Sequence, residues 1–150
     1  MSQARDDLLA HYGRMRAEMS AALEGLTDEQ MSEPSLDGWS VKDHLLHIAL
    51  WDDARASEVE RISAGHESAF RMSDAQDAAY NDLGYELRRG LGAAQAHWEW
   101  EASRRRLLDA IAAAGDRGLD EALYGEAGLV SAHEAEHAGW IRAWRDRQGI

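Results

Sequence analysis

Residues 38–53 read GWSVKDHLLHIALWDD. Ser40 is a good helix N-cap, and Val41, Leu45, Ile48 and Trp51 follow at helical spacing, so the stretch predicts an amphipathic helix running from about Ser40 to Ser63. Two histidines, His44 and His47, interrupt the apolar run. A second stretch, SAHEAEHAGWIRAW at 131–144, places His133 and His137 one turn apart in another helical pattern. Four of the seven histidines of the chain therefore fall on two helices.

The rest of the composition supports an all-α reading. One proline, few β-branched runs and abundant alanine, leucine, glutamate and arginine favour helix over strand. At 150 residues the chain is expected to form one domain, residues 1–150, around one core. Sixteen basic residues face 28 acidic ones, a formal charge of -12 that repels nucleic acid and anionic membranes. The only basic run, Arg104 to Arg106, reads as a solvated helix face. Without cysteine, any metal must be held by nitrogen and oxygen ligands. No stretch approaches the roughly 20 apolar residues of a membrane span, and no signal-peptide pattern is present, so a cytoplasmic protein is expected.

Four main helices emerge. The first covers about Gln3 to Glu24, with Leu8, Tyr12, Met15 and Met19 on one face; the second is the Ser40–Ser63 helix. Between them lie a capping-box signature at Thr27 to Gln30 and an Asp37-Gly38 turn. Ser73 and Gln76 open a third helix that Gly90 and Gly92 break or bend, and the last runs from about Leu129 to Arg147. Four apolar stripes call for a four-helix bundle.

On a wheel of about 100° per residue, Leu129, Val130, His133, His137, Trp140, Ile141 and Trp144 share one face of the last helix. Two imidazoles buried there without partners would cost on the order of 1–3 kcal/mol each, a cost that a shared metal ion removes. A third histidine from the second helix would complete a three-nitrogen site with a position open to water or substrate. The wheel favours His44 as the more buried candidate, whereas His47 sits at an edge open to a cleft, and periodicity does not choose between them. Trp51, Trp98, Trp140 and Trp144 read as core, with Trp51 and Trp140 also able to line a pocket beside the metal.

Two rival patterns share these letters. HEAEH fits the H-E-x-x-H of zinc peptidases, with Glu134 as general base, but the thirteen residues that follow hold no histidine or glutamate as third ligand. Glu134 and His137 make one Glu-x-x-His, where a di-iron carboxylate bundle needs two.

The two histidine stretches together resemble the DinB-like superfamily: GWSVKDHLLHIALWDD is similar to its second-helix signature, and HEAEHAGWIRAWR to its last-helix signature. The resemblance implies a four-helix bundle of DinB-like type, often a homodimer, that carries a divalent metal such as zinc or nickel on three histidines. By motif position these are His47, His133 and His137, leaving His44 as a core or outer-shell neighbour. Relatives of this kind act on small molecules, some with a low-molecular-weight thiol such as mycothiol or bacillithiol as cosubstrate. A metal-dependent thiol transferase or hydrolase acting on a small electrophile is therefore expected. No residue stands out as general acid or base: Glu134 lies on the flank of its helix, and Asn81 reaches the pocket only if the broken helix bends inward. The alternative is a metal-free helical bundle that binds a small molecule or a partner protein, with the histidines as polar core residues.

Overall fold

The computed structural model describes residues 2–150 and is helical throughout. Among these residues, α1 spans Gln3–Leu23, α2 Asp28–Ser32, α3 Val41–Ser63, α4 Asp74–Arg88, α5 Ala93–Ala113 and α6 His133–Gln148. Two short 3-10 turns, Arg117–Leu119 and Glu121–Leu123, lie between α5 and α6. The four long elements α1, α3, α5 and α6 form the bundle: α3 packs along α5 and α1 along α6, with α4 added against α3. No helix is long and apolar enough to cross a membrane among the described residues.

Local chemistry sets most boundaries. Ser40 accepts the backbone N–H of Asp43, and the Asp43 carboxylate accepts the Ser40 N–H in return, so α3 begins on a closed capping box. The same reciprocal pair forms at Thr27/Gln30, where it starts the short α2 in the connection between the first two long helices, and at Ser73/Gln76, where it starts α4. Asp37 and Gly38 both adopt left-handed backbone, with φ of 54° and 87°. Leu36 and Trp39 consequently exchange two backbone hydrogen bonds of 3.0 and 3.1 Å, which fixes Trp39 over the start of α3.

The expected break near Gly90 and Gly92 is complete, because α4 ends at Arg88 and α5 restarts at Ala93. The last helix starts later than expected, at His133 rather than Leu129. Side chains of α1 take the carbonyls that a longer helix would use: Tyr12 Oη donates to Leu129 O at 2.5 Å, and His11 Nε2 donates to Ser131 O at 2.8 Å. Leu129 still packs in the core, but Val130 is 46% exposed and leaves the expected stripe.

Two apolar clusters fill the bundle. One gathers Met19, Leu45, Ile48, Trp100, Ile141 and Trp144; the other gathers Tyr12, Met15, Val59, Ile62, Leu107 and Ile111. Trp98 corrects the sequence reading, since it is 63% exposed and belongs to neither cluster. Arg104 corrects another: only 4% exposed, it lies inside the bundle, while Arg105 and Arg106 face solvent as expected.

The connection after α3 is tied to the segment before α6. Glu126 N donates to Phe70 O at 2.5 Å, and Gly125 N to Ser68 Oγ at 3.2 Å. A Cβ on Gly125 would stand 2.2 Å from Phe70 O, which is backbone and cannot swing aside. Gly125→Ala is therefore expected to destabilise the protein by about 1–3 kcal/mol, the usual range for forced overpacking, as read from the urea unfolding midpoint.

Candidate metal centre

α3 and α6 each present two histidines to the same space. His137 Nε2 lies 2.9 Å from His133 Nε2, and His47 Nε2 lies 3.3 Å from the same atom. One ring nitrogen from each of His47, His133 and His137 falls within 4.8 Å of the others. Three nitrogens at about 2.0–2.1 Å from a tetrahedral ion would be separated by about 3.3 Å, so the spacing of this group suits a shared cation.

His44 stands behind this group. Its Nδ1 lies 2.6 Å from His137 Nδ1, so one ring donates and the other accepts. With His137 Nε2 kept as a lone pair toward His47 and His133, its Nδ1–H donates to His44, which then carries its own proton on Nε2. That Nε2 is buried and has no hydrogen-bond partner. The wheel thus ranks the burial of the two correctly, with His44 5% exposed and His47 half-buried, but the Nε2 group forms around His47.

Burial drives all four rings toward the neutral form, because a charged imidazole loses its hydration there. It takes His44 down to about 4 and His47 to about 3, and lowers His133 and His137 as well; neighbouring imidazoles reinforce the effect at His47 and His137. Neutral imidazoles are the form that binds metal.

The group forms the floor of an open cleft of about 410 Å³. Trp39 and Trp140 contribute to its walls, with Leu36 and Asp37 beside Trp39. Trp140, expected either in the core or on a pocket wall beside the metal, takes the second place: it is 50% exposed and meets the His137 ring edge-on at a centroid distance of 4.6 Å. Trp39 contacts His44 and His47 and stacks on Tyr85 at an interplanar angle of 5°. Sequence reasoning passed over Trp39 as a site residue, although it opens the second-helix signature and follows the tight Asp37-Gly38 turn. Trp51 is buried outside this cleft, in a neighbouring recess that shares His47 and His133. Its indole N–H donates to Asn81 Oδ1 at 2.7 Å, so Asn81 approaches the site from the separate helix α4.

Beneath the histidines lies a cluster of charges. Glu134, 2% exposed, meets Arg16 Nε at 3.0 Å and Arg104 Nη1 at 2.9 Å, and accepts the Trp100 indole N–H at 2.8 Å. Asp52, 1% exposed, meets Arg104 Nε at 2.9 Å and Arg55 Nη1 at 3.3 Å. The Arg16 guanidinium also lies 3.8 Å from the centroid of Trp100. Both oxygens of Glu134 are thus engaged away from the cleft, which removes it as the general base of a peptidase-type site.

A helical bundle with a three-histidine group on the floor of an open cleft defines the class. A family model of the DinB superfamily matches residues 11–141, and the chain belongs to that superfamily. Among solved structures, an uncharacterised protein from Escherichia coli UTI89 shares the fold, with a TM-score of 0.78 at 16% sequence identity over 100% of this chain and 97% of that one. No curated protein matches the sequence.

Two outcomes are expected. Removing Glu134 leaves Arg16 and Arg104 without one of their buried partners, so Glu134→Ala should cost about 3–5 kcal/mol in a urea titration. Lowered histidine pKa values mean that the unfolded chain, with histidines near 6.5, binds more protons than the folded one below that pH. Stability of the metal-free protein should accordingly be full above pH 7 and fall from about pH 6.5 toward pH 4, by up to about 1.4 kcal/mol per pH unit for each histidine, as read from melts at stepped pH.

Proposed function

We propose that the chain is a metal-dependent enzyme in which His47, His133 and His137 hold a divalent transition ion, zinc or nickel, and a small electrophilic molecule is attacked in the cleft by a thiol or by water. The observation that carries this reading is the convergence of three neutral Nε2 atoms on the floor of an open, aromatic-walled cleft. Three protein nitrogens leave a coordination position for a ligand, the arrangement of catalytic rather than closed structural sites. A bound ion of this kind lowers the pKa of a coordinated thiol or water and so supplies a nucleophile at neutral pH.

The surrounding residues have separable roles. His44 accepts the Nδ1–H of His137 and so holds its ring orientation and tautomer. Trp39 and Trp140 offer apolar faces to the body of a small molecule and limit water around it. A low-molecular-weight thiol is the favoured nucleophile, on the strength of the superfamily resemblance.

Elemental analysis of the purified protein should find near one equivalent of a transition metal. His47→Ala, His133→Ala and His137→Ala should each lose it, whereas His44→Phe should keep the stoichiometry and weaken affinity by about 10- to 100-fold. No metal after reconstitution with zinc or nickel would overturn the reading in favour of a metal-free bundle that binds a small molecule. Adding a thiol to the loaded enzyme separates the two chemistries: a transferase consumes it in stoichiometric amount, and a hydrolase is indifferent to it.

A further inference from the structure

On the side of the histidines nearer α4, a second recess of about 220 Å³ opens, sharing His47 and His133 with the aromatic cleft. Its chemistry is different. Arg55 lies in its wall, 5% exposed, with Nε donating to Gly128 O and Nη1 to Asp52 Oδ1. Those two bonds lock the guanidinium in place, and its Nη2 makes no hydrogen bond among the described residues. Asn81 has its carbonyl oxygen occupied by the Trp51 indole, which can only donate, so its amide NH₂ is left to the recess. The Ser131 hydroxyl accepts the backbone N–H of His133 and retains its own proton for donation.

Asp77 and Glu126 line the same recess, and neither carboxylate has an ion-pair or hydrogen-bond partner among the described residues. One small recess therefore contains a fixed cationic edge and two carboxylates that do not reach it. An anion alone would satisfy the arginine and be repelled by the acids, and a cation alone would do the reverse. A molecule carrying both signs a few bonds apart satisfies both sets.

We propose that this recess binds a zwitterionic group of amino-acid type, its carboxylate received by Arg55, Asn81 and Ser131 and its ammonium by Asp77 and Glu126. Joined to the aromatic cleft through His47 and His133, the recess gives the substrate, or the thiol that attacks it, a polar head beside the metal ligands and an apolar body between Trp39 and Trp140. That assignment to a reacting molecule rests on the function proposed above; the binding site itself does not.

The test is an NMR titration of the ¹⁵N-labelled full chain, after chelation and dialysis, with glycine, acetate and methylammonium. Chelation prevents glycine from reporting coordination to a metal. Glycine should saturate, shift the Asn81 side-chain amide and the Arg55 Nε–H signals, and bind at least tenfold more tightly than either single-charge probe. Because Arg55 also partners Asp52, the decisive variants are Asp77→Asn and Glu126→Gln, neither of which removes a contact of the fold; together they should bring glycine down to the affinity of acetate. Glycine that fails to saturate, shifts confined to Trp140 and its neighbours, or glycine binding unchanged in the double variant would each overturn the proposal. A protein that binds metal but not glycine loses this inference alone, and one that binds glycine but no metal keeps the head-group site while losing the enzymatic reading.

Discussion

Two carboxylates, Asp52 of α3 and Glu134 of α6, sit in the middle of the bundle with side chains only 1% exposed, held by Arg16 from α1, Arg104 from α5 and Arg55 from α3 itself. Such a cluster is weak as a source of net stability, because desolvation consumes most of the attraction between its members. Its importance is geometric. Each carboxylate must meet its arginines within hydrogen-bonding distance, and that requirement fixes how far each of the four long helices is rotated about its own axis. Glu134 follows His133 directly and Asp52 lies five residues after His47, so the rotations that satisfy the charges also decide where the imidazoles point. The two apolar clusters lie on either side of the charged layer and are less directional in what they demand of their neighbours than its hydrogen-bonded ion pairs.

The sequence made the helices legible because their signals are local. Capping boxes at Thr27, Ser40 and Ser73, the glycines between α4 and α5 and the i, i+4 spacing of His133 and His137 all act within one or two turns. What escaped it depends on partners far along the chain. Arg104 looked like a member of a solvated run because its counter-charges, Asp52 and Glu134, lie 52 residues before it and 30 after it. Leu129 and Val130 looked helical because nothing nearby reveals that α1 claims the carbonyls of Leu129 and Ser131.

The histidines divide along the same line. A wheel measures depth, and it placed His44 deeper than His47 correctly; it does not know which neighbouring helix each ring will meet, and this decides which one joins His133 and His137 through Nε2. The signature pattern carried that information where periodicity did not. Trp98 was misjudged as core for a different reason, and of the two places open to Trp140, core or pocket wall, the structure has the pocket wall. Tryptophan is amphipathic enough to stay on a surface, and Trp140 spends its apolar face on the cleft beside His137 rather than on the bundle interior.

α4 differs from the other long helices in buried area and in attachment: Gly84 is its one fully buried residue, at a point where an added methyl group would come within 2.5 Å of Leu50 of α3. It contributes nothing to the charged layer and none of the four histidines, yet Asn81 and Asp77 on it wall the polar recess. The protein is therefore divided like a tool with an interchangeable bit. The frame that aims the imidazoles is written in α1, α3, α5 and α6, and two of the side chains that wall the polar recess come from a helix outside that frame. A change at Asp77 or Asn81 therefore alters the wall of the recess while every contact of the charged layer stays in place.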